Sequence, residues 1–163
     1  MPHAPSTPYT AYLEGRDPLA AMRDSIRAFQ DVTAGWTAGQ WERSYAPGKW
    51  SARQMMIHLA QTELVLGARV RMALTRPDFV AQSFNQDAWL ARELGVSGPD
   101  ALNVLVALAS LNLALYASLS DADRQTPLTH DEYGPMTVDW IIHHGAGHQI
   151  SHLRQLRQLS AHG

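Results

Sequence analysis

The chain of 163 residues contains no cysteine. That excludes disulfides, thiolate metal ligands and a cysteine nucleophile, so any metal site must be built from histidine and carboxylate. The absence fits a reducing compartment. Lysine is nearly missing as well: Lys49 is the only one, and the twelve arginines are scattered, with Arg69, Arg71 and Arg76 the closest group, read as decoration of a helix end. With a formal net charge of -2 there is no basic excess of the kind a nucleic-acid binder shows. The first ten residues lack a charged segment followed by an apolar run, and no apolar stretch reaches the roughly 20 residues a spanning helix needs. The expectation is a cytoplasmic protein with no membrane and no nucleic acid among its partners. What is present, 45% hydrophobic and 17% charged residues, suits one globular domain.

Punctuation along the chain predicts four long helices. Residues 1–16, with three prolines and small polar residues, read as a flexible lead-in to a single domain over 17–163. Asp17 and Pro18 open a first helix to about residue 34, because an aspartate can cap free N–H groups and proline suits the first helical position. Ser51 and Gln54 form a capping box that opens a second helix to about residue 75, stopping before Pro77. Ser97, Pro99 and Asp100 start a third, whose leucines at 102, 105, 108, 111, 115 and 119 predict its apolar face. Thr137 caps a fourth, running to about residue 160. No repeat and no strand is evident. Four amphipathic helices predict an all-α, antiparallel four-helix bundle. Its connections 77–97 and 120–136 are longer than a bundle needs and become candidate pocket walls.

The fourth helix carries the chemistry. Ile141, Gly145, His148, His152, Gln155 and Leu159 follow spacings of four and three, one continuous inward seam. Polar groups at core positions need partners. His148 and His152, four apart, lie one turn from each other on one face, where two imidazoles can share a metal. Gln149 stands where an HExxH protease has its glutamate, so that chemistry is excluded. A third ligand must come from elsewhere. His58 is the only histidine on the second helix, beside Met55, Leu59 and Thr62. His3, His130 and His162 fall in tails or loops, and His143 and His144 compete; His144 is one turn before His148 and could be a fourth ligand, a partner to a ligand or a base. Spacing alone leaves metal ligands and hydrogen-bonded core histidines equally open.

Segment 49–63, KWSARQMMIHLAQTE, resembles the signature of the DinB/YfiT-like superfamily, in which a Trp-Ser pair starts the second helix and a metal-binding histidine follows. Segment 143–156, HHGAGHQISHLRQL, is similar to the family's second half, with two histidines four apart, and FNQDAW at 84–89 is similar to its acidic-aromatic segment. The resemblance covers about residues 17–160. It implies a metal triad of His58, His148 and His152 in a frequently dimeric four-helix bundle, holding zinc or nickel, with manganese or iron as further options. It also implies an activity: transfer of a low-molecular-weight thiol (bacillithiol, mycothiol or glutathione in relatives) through a metal-bound thiolate, or amide or ester hydrolysis by a metal-bound water, or a non-catalytic metal-binding stress module. One departure is Ser151, where members often carry histidine before the last ligand.

Around this triad, Glu63, Asp87 and His144 are candidates to handle a proton, and Trp89 and Gln155 to contact a small-molecule substrate. Gln155 could instead bond a ligand histidine. Glu63, five residues past His58, is expected on a different part of the helix surface, with a salt bridge to Arg69 or a loop contact as the plain alternative. Trp50 and Trp140 near helix starts are expected to staple loops to the core.

Overall fold

The computed structural model describes residues 5–160. Along the chain come α1 (Thr10–Leu13), α2 (Pro18–Thr33), α3 (Ala38–Trp41), α4 (Ala52–Thr75), β1 (Val80–Ala81), α5 (Gln86–Arg92), α6 (Gly98–Ser118), α7 (Asp121–Arg124), β2 (Pro127–His130), β3 (Gly134–Thr137) and α8 (Val138–Ser160). The four long helices start where their caps dictate. Asp17 Oδ2 accepts from the Ala20 N–H at 2.7 Å, and Ser51 and Gln54 satisfy each other's backbone N–H at 3.2 and 2.9 Å. Ser97 Oγ takes the Asp100 N–H, and Thr137 Oγ1 takes that of Trp140. Each cap supplies partners that the first turn of a helix lacks.

Helices α2, α4, α6 and α8 form the four-helix bundle: α4 packs on α6 and α8, and α2 on the same two. The core falls into two apolar clusters. Along α4 one ends at Ala60 and the other begins at Leu66; along α8 one ends at Ile150 and the other begins at Leu153. His58, His148 and His152 sit close to that junction, where polar side chains interrupt the apolar packing.

Three sequence expectations change. Residues 5–16 are not a loose lead-in: Leu13 is 3% exposed in the core, α1 packs on α8, and the Trp140 indole N–H donates to the Ser6 carbonyl at 3.0 Å. The close approach needs Gly147, where a Cβ would run into the backbone of Tyr9.

The two long connections are not free of strands either. β1 lies parallel to β2, and β2 antiparallel to β3, in a three-stranded sheet. Strands of two to four residues are too short to show a period of two in sequence. Because β2 alternates, it buries Leu128 and His130 and leaves Pro127 and Thr129 outside.

The third change concerns the inward face of α6. It is Ala101, Leu105, Ala109, Asn112 and Tyr116, while Leu111 is 59% exposed. Of the leucine stripe, Leu105 is fully buried, Leu102, Leu108, Leu115 and Leu119 are half-buried, and Leu111 faces outward. This helix of 21 residues is long and apolar enough to cross a membrane by length and composition, contrary to the sequence reading, a property shared by core helices of bundles. Here it packs along α4 and α2.

Candidate metal centre

α4 delivers His58 and α8 delivers His148 and His152 to one point. His58 Nε2 lies 3.1 Å from His148 Nε2, which lies 3.0 Å from His152 Nε2. Among the described residues these three are the group of potential ligands whose donor atoms all lie within 4.8 Å of one another. Two nitrogens bound at about 2.05 Å to a tetrahedral zinc stand roughly 3.3 Å apart, so the cluster needs little adjustment to hold an ion.

The hydrogen-bonding pattern supports the same fit. His152 Nδ1–H donates to Gln155 Oε1 at 2.8 Å, which leaves its Nε2 as a lone pair. One ring hydrogen on His148 or His58 can serve a single contact among the three nitrogens. The remaining contact then has no hydrogen of its own, and a cation relieves that arrangement. The rings are also held neutral, as ligands must be. Burial, then the neighbouring His152, pulls His58 down to about 3. Burial lowers His148, with His152, His58 and His144 adding to it, and burial lowers His152 against the opposing bond to Gln155.

Surrounding side chains set the rings in place. The Trp50 ring lies 4.8 Å from that of His58, and Tyr9 packs edge-on against His148 at 5.2 Å and His144 at 5.1 Å. Gln155 Nε2 donates onward to the Tyr45 hydroxyl at 3.4 Å. His144 stacks on Trp140 with centroids 4.7 Å apart and stays outside the ligand cluster. His143 turns away, its Nδ1 held by the Asp139 carbonyl at 2.9 Å. His3 and His162 lie outside the described residues.

Glu63 is placed elsewhere than expected. It is 2% exposed, and both oxygens are engaged: Oε1 accepts from Gln149 Nε2 at 2.5 Å and Oε2 from Asn112 Nδ2 at 2.7 Å. Asn112 Oδ1 in turn accepts from Arg71 Nη1 at 2.8 Å, and Gly67 leaves room for that amide. The carboxylate ties α4, α6 and α8 together, each oxygen accepting one amide bond. It makes no salt bridge to Arg69 among the described residues.

Two cavities flank the histidines. The larger, about 380 Å³, is lined by His58 and His148 together with Tyr9, Thr62, Arg69, His130, Tyr133 and His144. The smaller, about 310 Å³, is lined by His152 and Gln155 with Tyr45, Lys49, Trp50 and Asp87. Trp89 lines neither; it is 37% exposed and rests on Phe84 at 4.8 Å.

Sequence reasoning passed over Tyr9, Arg69, His130 and Tyr133. For Arg69 the signal was present: 58, 62, 66 and 69 at spacings of four, four and three share one helix face. The His130 wall depends on a sheet that no local pattern announces.

These histidines make the fold acid-sensitive. Burial also lowers His144, to about 4. As pH falls below 6.5 the unfolded chain binds protons that the folded chain refuses, so stability drops as pH falls from there. Each group contributes about 1.4 kcal/mol per pH unit of that window. Urea midpoints of metal-free protein should fall clearly between pH 7 and pH 5; a flat profile contradicts the buried neutral state.

The family model of the DinB superfamily matches residues 21–156, and the chain belongs to that superfamily. Two proteins of Oceanobacillus iheyensis, each named "Putative metal-dependent hydrolase", are similar to it. One is 26% identical over 139 residues, 85% of this chain and 81% of the relative. The other is 22% identical over 116 residues, 71% and 67% respectively. Among solved structures, YfiT from Bacillus subtilis, described as "a probable metal-dependent hydrolase with an unusual four-helix bundle topology", superposes with a TM-score of 0.83. At 18% identity, covering 99% of this chain and 92% of that one, the match establishes a shared fold.

Proposed function

We propose that the protein is a divalent-metal-dependent enzyme acting on small molecules, with zinc or nickel held by His58, His148 and His152, and that it transfers a low-molecular-weight thiol to an electrophile. The observation that carries this reading is the pair of cavities: they share no lining residue, and the three histidines are divided between them. Two substrates can reach one centre from two sides, whereas hydrolysis needs room for one substrate and a water.

Three neutral imidazoles leave a bound divalent ion its full charge, and such an ion lowers the pKa of a thiol from about 8.5, or of a water from about 15.7, toward neutrality. The chain's residues do the rest. Gln155 fixes the ring of His152 so that Nε2 faces the centre. Trp50 and Tyr9 pack on the ligand rings and hold their orientation. With no cysteine in the chain, the sulfur comes from outside. A thiol has far less pKa to lose than a water and needs less help from a base.

Hydrolysis is the second reading. The names of the relatives favour it, and His144, neutral on the wall of the larger cavity, could receive a proton there. Turnover of 1-chloro-2,4-dinitrobenzene with a panel of cellular thiols, beside hydrolysis of a nitrophenyl ester without thiol, separates the two. The expected result is metal-dependent turnover only when a thiol is supplied. Ester hydrolysis with no turnover on any thiol would replace the first reading by the second.

A further inference from the structure

The wall of the larger cavity holds a half-buried cation that forms no direct ion pair among the described residues. Arg69 reaches that cavity from α4, on the same face as His58, and donates through Nη2 to the Gln82 carbonyl. Among the described residues it forms no salt bridge. Asp131, whose charge reaches it, is already engaged: its carboxylate accepts from the Ser83 backbone N–H at 2.9 and 3.0 Å and from the Ser83 hydroxyl at 3.1 Å. Glu132 also borders the cavity, but as an exposed residue whose charge water screens.

Taking a guanidinium partly out of water with a single carbonyl for partner is costly, and its planar fork matches a carboxylate or phosphate. Two further polar atoms on this wall lack partners. Thr62 Oγ1, one turn from His58, and His144 Nδ1 are both buried and make no hydrogen bond. Two buried polar atoms without a hydrogen-bond partner and a guanidinium without a salt bridge thus border one cavity beside the triad, and the single acid on its wall, Glu132, is solvent-exposed.

We propose that this wall is an anion subsite: Arg69 pairs with a carboxylate or phosphate on the substrate, Thr62 donates to the bound molecule, and the cavity selects acidic small molecules over neutral ones. This rests on the reading of the cavity as the place where substrate meets the metal, but the subsite itself is built from the chain alone.

Calorimetric titration of the zinc-reconstituted chain with succinate and with inorganic phosphate, against uncharged succinamide, tests it. At least one anion should bind about ten-fold or more tightly than succinamide, the worth of one charged hydrogen-bonded pair. Whichever anion binds better identifies the group recognised, and either supports the subsite. Arg69→Gln should abolish the preference, and Arg69→Lys, which keeps the charge and loses the fork, should retain part of it. Repeating the titration after chelator treatment separates this wall from direct ligation of zinc: the preference persists if Arg69 carries it. Loss of the preference with the metal, equal binding of anions and succinamide, or a folded Arg69→Gln that binds anions like the parent would each overturn the proposal. Metal content, measured separately, judges the metal reading, so the two can fail independently.

Discussion

Replacing His148 by alanine should empty the centre of metal. His148 Nε2 is the nitrogen in contact with both others, so its loss leaves two imidazoles on different helices with nothing between them. In protein purified without chelator or nickel affinity resin, metal content should fall from about one ion per chain to less than about a tenth of that. Turnover should fall at least about a hundred-fold. A graded comparison comes from Gln155→Leu, which removes the acceptor for the His152 Nδ1–H. That variant should bind metal about 10 to 100 times more weakly while keeping the site. Full metal occupancy in His148→Ala would mean that the three histidines are core residues and the ion, if any, sits elsewhere.

The second large effect is on stability. Glu63→Ala leaves the amide donors of Asn112 and Gln149 buried without acceptors and opens a void between three helices. A cost of about 3 to 5 kcal/mol is expected, which for a chain of this size lowers the melting temperature by about 10 °C or more. Glu63→Gln retains one carbonyl acceptor and should cost less. The pair also reports on charge. Burial raises the Glu63 carboxyl above its ordinary 4.5, against the lowering effect of the bonds from Asn112 and Gln149. Above pH 4.5 the unfolded chain therefore releases this proton before the folded chain does, and the parent loses stability as pH rises through that window. The glutamine variant has no such proton, so the parent's advantage over it should narrow from pH 4.5 upward. Histidine titration is common to both proteins and cancels in the difference. An advantage that widens with pH would show that the carboxylate is stabilised as the anion.

How much of this could be read from residues alone depended on the range of the interaction. Caps act within four residues, and Asp17, Ser51, Ser97 and Thr137 placed all four long helices. The pairing of His148 with His152 is equally local. The role of Glu63 is not: its partners lie 49 and 86 residues away, and nothing near residue 63 announces them. The inward face of α6 was misread for another reason. Leucine content measures apolarity, while close packing of α6 on α4 also takes small side chains, so Ala101, Ala109 and Asn112 face in beside Leu105 and Tyr116, and Leu111 faces out. At residue 67 that approach is tight enough that a Cβ would overlap the Asn112 amide.

The segment before α2 has a practical side. A fragment trimmed to begin at Asp17, the natural first residue of the bundle by its cap, would retain every imidazole of the triad. It would lack Tyr9, whose ring covers His148 and His144 and closes one side of the larger cavity. The residues that would hold the ion and those that wall its pocket thus begin at different points of the chain. Removing residues 5–16 would strip the pocket wall at Tyr9 together with the core contact of Leu13.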